Sequence, residues 1–113
     1  MAVVLYHNPK CSTSRNALAL LRERGIEPTV VEYLKTGWDR ATLARLASRT
    51  GVGMAGLMRR KETEAKALLD AGADEEALVA AALAQPILIE RPIVETDKGA
   101  VVGRPLERVL EVL

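Results

Sequence analysis

The first part of the chain alternates a short apolar run, a helical stretch and a second apolar run. Val3-Val4-Leu5-Tyr6 is a continuous apolar run, which is typical of a strand buried on both faces. From Ser14 to about Arg24 the composition is helical, with Leu18 and Leu21 on one face. Thr29 to Tyr33 is a second strand-like run. These elements predict a β-α-β unit with parallel strands and a right-handed crossover.

The middle of the chain has a different pattern, because from about Asp39 to Gln85 it is helical and rich in alanine. Asp39 and Asp74 are predicted helix caps, since an aspartate side chain can accept the unpaired N–H groups of a first turn. A short helix is predicted around residues 55–60, and the last helix is predicted to end before Pro86. We interpret residues 1–113 as a single domain with a helical insertion at about 39–85.

Strand signals return after this insertion. Ile93–Thr96 and Ala100–Val102 flank Asp97-Lys98-Gly99, which predicts a hairpin with a three-residue loop and Gly99 in the left-handed position. An apolar stripe predicts a terminal α-helix carrying Leu106, Val109, Leu110 and Leu113 on one face. The order β-α-β, helical insertion, β-β-α predicts an α/β sandwich of the thioredoxin-like type with a four-stranded mixed sheet.

Composition and charge exclude several classes of protein. Sixteen Lys and Arg residues face fifteen Asp and Glu residues, which gives a net charge of +1. This balance argues against a nucleic-acid or membrane partner recognised through bulk positive charge. No apolar run approaches the ~20 residues of a spanning helix, and the N-terminus has no basic region or cleavage site of a secretory signal. We therefore expect a cytoplasmic protein, and a monomer.

The single cysteine is the main candidate for chemistry. Cys11 lies in the turn before the first helix, where unpaired N–H groups and the positive end of the helix dipole favour a thiolate. The hydroxyl of Ser14 is expected to hydrogen-bond the sulfur, and Arg15 adds positive charge nearby. A buried structural cysteine is the alternative interpretation, but the flanking residues are mostly polar. One cysteine and one histidine seldom form a metal site, so no metal is expected.

The segment His7-Asn8-Pro9-Lys10-Cys11-Ser12-Thr13-Ser14-Arg15-Asn16 resembles the active-site segment of the glutaredoxin-dependent arsenate reductases. The resemblance covers essentially the whole chain, through Glu27-Pro28-Thr29, Tyr33-Leu34, Leu57-Met58-Arg59, Pro86 to Val94 and Gly103-Arg104-Pro105. It implies a thioredoxin-like fold with an inserted helical region, in agreement with the pattern. Several members of the broader family carry a C-terminal extension beyond the position of Leu113, and we expect this difference to affect oligomerisation or regulation more than chemistry.

The resemblance also implies a role for each matching residue. Cys11 matches the nucleophile, and the arginines that surround the arsenic oxyanion match Arg59, Arg91 and Arg104. Arg60 is the alternative to Arg59, because a shift of one residue would exchange their roles. The supporting residues of the loop match His7, Ser14 and Arg15, and Pro92 matches the cis proline that faces the cysteine. Arginine suits a tetrahedral dianion because its planar fork of donors keeps its charge.

These matches lead to a functional hypothesis with two alternatives. The Cys11 thiolate would attack arsenic(V) to form a covalent adduct, and with no second cysteine the chain needs an external thiol. The resemblance implies glutathione as co-substrate and glutaredoxin as partner, without a bound cofactor. The first alternative is a glutathione-linked thiol oxidoreductase of the same fold that does not use arsenate. The second is a redox regulator of transcription of the Spx type, although the second cysteine of its Cys-x-x-Cys motif is replaced here by Ser14.

Overall fold

The computed structural model describes all residues, 1–113, and divides into two compact units. One unit comprises Met1–Thr36 and Arg91–Leu113, and the other comprises Gly37–Glu90. The second unit overlaps the predicted helical insertion. The organisation of residues 1–113 as one domain carrying an insertion stays a prediction.

The first unit contains a four-stranded mixed sheet. Its strands are β1 (Val4–Tyr6), β2 (Thr29–Val31), β3 (Ile93–Thr96) and β4 (Gly99–Val102), in the order β2-β1-β3-β4. β1 pairs in parallel with β2 and antiparallel with β3, and β3 pairs antiparallel with β4. The predicted α/β fold class is therefore confirmed. β2 is shorter than predicted, because Tyr33 turns inward and begins a short helix, α2 (Tyr33–Thr36).

Helix α1 (Ser12–Glu23) packs against one face of this sheet. Its buried residues Ser14, Ala17 and Leu21 follow the i, i+3, i+7 spacing of one helix face. Leu21 packs with Leu5 of β1 in a core that includes Val94, Val101, Val109 and Val112. Ser14 therefore lies at the N-terminal end of the buried face of α1, and its side chain is buried.

The C-terminal helix differs from the prediction. Residues Leu106–Val112 form a 3₁₀-helix, and its buried residues are Val109 and Val112 rather than the predicted i, i+3, i+4, i+7 stripe. Leu110 is 42% exposed. A 3₁₀-helix has three residues per turn, so side chains three apart share a face. Leu106, Val109 and Leu113 pack in or against the core as predicted, but Leu110 does not, and the predicted α-helical type was wrong.

The hairpin is confirmed with a shorter loop. Gly99 pairs with Thr96 as the first residue of β4, so the loop is Asp97-Lys98 and not Asp97-Lys98-Gly99. The Lys98 N–H donates to Thr96 Oγ1 over 3.0 Å, which closes the turn one residue earlier. Gly99 has φ +149°, a value that favours glycine. The sequence also predicted a glycine conformation here, but as the last residue of a three-residue loop and not as the first residue of β4.

The second unit is helical. It contains α3 (Arg40–Thr50), α4 (Gly53–Leu57), α5 (Thr63–Asp70), α6 (Glu75–Ala84) and a 3₁₀-helix, Pro86–Leu88. Both predicted caps are confirmed, because Asp39 accepts from the Thr42 N–H and Asp74 from the Ala77 N–H. α5 was not predicted as a separate helix. None of the helices in either unit has the length and apolar character to cross a membrane.

The helix predicted at 55–60 ends earlier, at Leu57. Met58 is extended, with φ −74° and ψ 138°, and forms an antiparallel bridge with Ile89. Arg59 and Arg60 therefore follow the helix and do not form part of a helix face. The bridge is flanked by hydrogen bonds from Arg59 N to Leu88 O and from Glu90 N to Leu57 O, each 2.7 Å.

Gly103 packs closely against Pro92 and Val109, just before Arg104. The Arg91–Pro92 peptide bond is cis, as the resemblance implied, and so is Arg104–Pro105. Gly103 N donates to Pro92 O over 2.8 Å, and a Cβ at Gly103 would lie 3.0 Å from Pro92 Cγ and 3.0 Å from Val109 Cγ2. Only a residue without a side chain lets the chain pass Pro92 this closely before Arg104.

We predict that Gly103→Ala destabilises the protein. The added methyl group has to displace two well-packed side chains, which typically costs about 1–3 kcal/mol. Chemical denaturation followed by circular dichroism measures this change. An unchanged denaturation midpoint would show that Pro92 and Val109 give way without cost.

Candidate active site

Cys11 is the N-cap residue of α1 and follows a loop held by Asn8. The Cys11 N–H donates to Asn8 O over 3.0 Å, and the Lys10 N–H donates to Asn8 Oδ1 over 3.0 Å. Asn8, which accepts both bonds, is 3% exposed. The side chain of Asn8 thus folds back over its own turn, as asparagine commonly does, and fixes the position of the cysteine backbone.

The hydroxyl of Ser14 joins this loop to His7. Ser14 Oγ accepts a 3.0 Å hydrogen bond from the Asn8 N–H and lies 2.7 Å from His7 Nδ1. The sulfur is instead hydrogen-bonded by the backbone N–H of Ser14. The structure assigns the Ser14 hydroxyl to the loop and gives the contact with sulfur to the peptide group, which corrects the expected bond from hydroxyl to sulfur.

His7 is buried, and this burial favours the uncharged form of its imidazole. Burial lowers the pKa of its imidazole; Glu32 acts in the opposite direction, and Arg15 and Arg22 lower the pKa further. The His7 N–H of the main chain donates to Val31 O over 2.8 Å, which holds the residue at the end of the sheet. The contact between His7 Nδ1 and Ser14 Oγ joins the imidazole to the start of α1; the supporting role that the resemblance implies for His7 stays a prediction.

Two arginines that flank the hairpin, Arg91 before β3 and Arg104 after β4, reach the sulfur. Arg104 Nη2 donates to Cys11 Sγ over 3.2 Å, while its Nε donates to the carbonyl of Arg91 over 2.7 Å. The Arg91 side chain also hydrogen-bonds the sulfur, and this residue is only 8% exposed. The structure therefore brings together Cys11, Arg91 and Arg104, three residues that are remote in sequence.

The pKa of the Cys11 thiol is held below its ordinary value. Burial alone would raise this pKa, but the Ser14 N–H and the Arg91 side chain hydrogen-bond the thiolate, and the charges of Arg104 and Arg91 favour it further. A partly buried thiolate beside two cations has the chemical properties of a nucleophile, and the cations are suited to hold an anion next to it.

The other two predicted supporting residues are placed as follows. Arg15 is exposed and its Nη1 donates to Pro9 O over 3.0 Å, so its contact braces the loop. Pro92 is buried between Arg91 and β3 and accepts the hydrogen bond from Gly103 described above. That Pro92 faces Cys11 stays a prediction.

Arg59 belongs to the helical unit, where its guanidinium is held by Glu90. Arg59 Nη1 lies 2.6 Å from Glu90 Oε1, and the two side chains are 13% and 20% exposed. Arg60 instead pairs with Asp70, and its side chain is 59% exposed. The two arginines are therefore in clearly different environments, and Arg59 is the one that the structure immobilises. A role for it beside Cys11 stays a prediction.

The sequence analysis missed Asn8 as a site residue, and it missed Glu90 as the partner of Arg59. The signal for Asn8 was present, because an asparagine side chain often accepts a hydrogen bond from the backbone N–H two residues later and so forms a turn. No local signal points to Glu90, whose pairing arises from the bridge between Met58 and Ile89. Nowhere in the chain do three His, Cys, Asp or Glu side chains gather as a metal site would require.

A family model described as the ArsC family matches residues 6–112. The chain belongs to the ArsC family. It is 49% identical to the uncharacterized protein YfgD of Escherichia coli K12, over 98% of this chain and 96% of that protein. It is 45% identical to a protein named arsenate reductase from Rhizobium meliloti, over 100% of this chain and 82% of that protein. A solved structure titled arsenate reductase from Vibrio cholerae superposes with a TM-score of 0.91 at 47% identity, covering 100% of this chain and 98% of that one.

We predict that the apparent pKa of Cys11 lies below the ~8.5 of a free thiol and rises in Arg104→Ala. The alkylation rate follows the thiolate fraction, so its half-maximum should occur at lower pH in the parent than in the variant. Iodoacetamide alkylation against pH measures both values, with Arg108→Ala, an arginine whose side chain is 42% exposed, as the matched control. Identical profiles in the parent and Arg104→Ala would remove Arg104 as a partner of the sulfur.

We predict that Ser14→Ala affects stability more directly than it affects the sulfur. Removing the hydroxyl leaves the buried Asn8 N–H and His7 Nδ1 without that partner, and an unsatisfied buried polar group costs about 1–3 kcal/mol. The free energy of unfolding should fall, while the backbone N–H of Ser14 still reaches Cys11. A raised thiol pKa with unchanged stability would restore the direct bond from hydroxyl to sulfur.

Proposed function

We propose that this protein is an arsenate reductase that uses Cys11 as its nucleophile. The observation that carries the proposal is the contact between Arg104 Nη2 and Cys11 Sγ, with Arg91 at the same sulfur. An ordinary thiol–disulfide oxidoreductase needs a reactive thiolate but has no need of two arginines converging on it. Arginine side chains at this position suit an oxyanion substrate, because their forked donors match its tetrahedral oxygens. The names of the relatives support arsenate as that oxyanion.

The first chemical step joins sulfur to arsenic. The Cys11 thiolate attacks arsenic(V), an S–As bond forms, and one hydroxyl of arsenate takes up a proton and leaves as water. Arg91 and Arg104 stabilise the remaining oxygens as charge redistributes during this exchange. Arsenic keeps its oxidation state in this step, so the reduction itself needs further electrons.

The second stage draws two electrons from external thiols. A first thiol attacks Cys11 Sγ; the S–As electron pair passes to arsenic, and arsenite leaves as a mixed disulfide forms. A second thiol then breaks the mixed disulfide and regenerates Cys11. Overall, arsenate and two thiols give arsenite, one disulfide and one water. We propose glutathione as the first thiol and glutaredoxin as the second, with no bound cofactor and the reduced cytoplasm as the compartment.

We propose Arg59 as the third arginine of the oxyanion site, in preference to Arg60. Its match to Leu57-Met58-Arg59 of the family and its immobilisation by Glu90 support this assignment. A guanidinium that is already oriented by a carboxylate loses little further freedom when it binds an anion. Arg60 is exposed and engaged by Asp70, so the same argument does not apply to it.

The test is arsenate-dependent NADPH oxidation coupled through glutathione reductase, with glutathione and glutaredoxin present or withheld. Activity should require both, and Cys11→Ser should have none. Arg91→Ala and Arg104→Ala should each lose roughly ten- to a hundredfold in kcat/KM, because one charge-assisted contact is typically worth about 1.5–3 kcal/mol. Arg59→Lys should also lose activity, whereas Arg60→Ala should behave as the parent.

A binding measurement accompanies this assay. Sulfate is a tetrahedral anion, so it should slow alkylation of Cys11 in the parent, less so in Arg91→Ala, and less at high salt. Equal rates with and without sulfate in both proteins would reject the oxyanion site. Efficient reduction of glutathione mixed disulfides without any arsenate reduction would instead establish the thiol oxidoreductase alternative.

A further inference from the structure

A small pocket opens beside the loop that carries Cys11. It has a volume of about 190 Å³. One wall is the loop itself, and the other comes from the end of β2 and from α2; the lining residues are Asn8, Pro9, Lys10, Glu32, Leu34 and Lys35. All of them belong to the sheet-containing unit.

The pocket is close to Cys11 because its wall is continuous with the nucleophile. Lys10 is bonded directly to Cys11, so their Cα atoms are about 3.8 Å apart. Asn8, also in the wall, accepts the Cys11 N–H. Glu32, on the opposite wall, lies near enough to His7 to oppose the lowering of its imidazole pKa. A ligand seated in this pocket is therefore within a few ångströms of the cysteine loop.

The pocket presents two cations and one anion around apolar surface. Lys10 and Lys35 carry the positive charges, and Glu32 carries the negative charge. Lys35 Nζ lies 3.5 Å from Glu32 Oε1, and its side chain is 78% exposed, so it remains open to a second anion. Pro9 and the 39% exposed Leu34 supply the apolar part.

We propose that this pocket binds the first thiol co-substrate as a short peptide with two carboxylates and one ammonium group, the charge pattern of glutathione. The carboxylates would pair with Lys10 and Lys35, the ammonium group with Glu32, and the peptide methylenes would lie against Leu34. The assignment adds a binding site for the first thiol of the proposed reaction, and it rests on that proposed function.

Size and charge favour this occupant over arsenate. The pocket is smaller than the roughly 300–1,000 Å³ of most complete ligand sites. It therefore does not enclose a tripeptide, which is about 10 Å long when extended; the charged groups of the peptide would pair with the side chains at the pocket, and the rest of the peptide would lie outside it. Arsenate would meet the Glu32 carboxylate here and no arginine fork, whereas the Cys11 sulfur already has Arg91 and Arg104 beside it.

The first experiment measures binding without chemistry. S-methylglutathione has the charges of glutathione but no free thiol, and its dissociation constant is measured by NMR titration of the parent protein. Lys10→Gln and Lys35→Gln should each weaken binding about two- to fivefold, the range expected for one exposed ion pair, and high salt should reduce the difference. Lys98→Gln, an exposed lysine at the hairpin loop, is the matched control and should bind as the parent does.

The second experiment separates this site from the proposed function. In the arsenate assay, the two lysine variants should raise the KM for glutathione while the KM for arsenate stays constant. With 2-mercaptoethanol, which has no carboxylate, the variants should match the parent. If the parent binds S-methylglutathione through both lysines but does not reduce arsenate, the proposed function fails and the pocket assignment stands. If arsenate is reduced but the parent does not bind S-methylglutathione, or the lysine variants bind it equally well, the pocket assignment is wrong.

Discussion

The hydrogen bond from Arg104 to the sulfur of Cys11 is the interaction on which the site depends. It joins the start of α1 to the residue that follows Gly103 at the end of the hairpin, 93 positions later in the chain. Arg104 can reach the sulfur because its Nε is bonded to the Arg91 carbonyl and because Gly103 passes Pro92 without a side chain between them. The hairpin therefore sets the position of a cation, while the sheet and helix core sets the position of the thiolate. Loss of either would leave a half-buried charge without its partner, which is costly in a protein interior.

A buried polar cluster behind the sulfur keeps the loop in one conformation. His7, Asn8 and Ser14 are each at most 5% exposed, and their hydrogen bonds are made with one another and with the loop backbone. Such clusters specify a single arrangement when every member is satisfied. The neutral state of His7 fits this requirement, since a charged imidazole would face Arg15 and Arg22 from a desolvated position. The cations that lower the pKa of Cys11 are the guanidinium groups of Arg91 and Arg104, and arginine keeps its charge across the physiological pH range.

Local signals in the sequence were sufficient for much of this structure. Asp39, Asp74 and the turn before Cys11 were identified because a cap or a turn depends on a few neighbouring residues. The 3₁₀ form of Leu106–Val112 was not predictable from the sequence, because its apolar residues are compatible with a 3₁₀-helix and with an α-helix. The packing of Val112 in the core distinguishes the two, and it depends on the rest of the fold. The hydroxyl of Ser14 and the pairing of Arg59 with Glu90 were also beyond local reasoning. Each depends on which partner the fold brings close, and several partners were equally compatible with the sequence.

In the proposed reaction, the same two arginines would act in succession on two different negative charges. Before the S–As bond forms, Arg91 and Arg104 lower the pKa of Cys11 by stabilising its thiolate. Formation of the S–As bond would remove the negative charge from the sulfur. The two guanidinium groups would then stabilise the negative charge on the oxygens of the adduct. The cations therefore need no movement between activating the nucleophile and stabilising the product of its attack, which is the economy expected of a preorganised electrostatic site. The opposite transfer would occur when the second thiol breaks the mixed disulfide, because the Cys11 thiolate regenerated in that step returns to donors already in place.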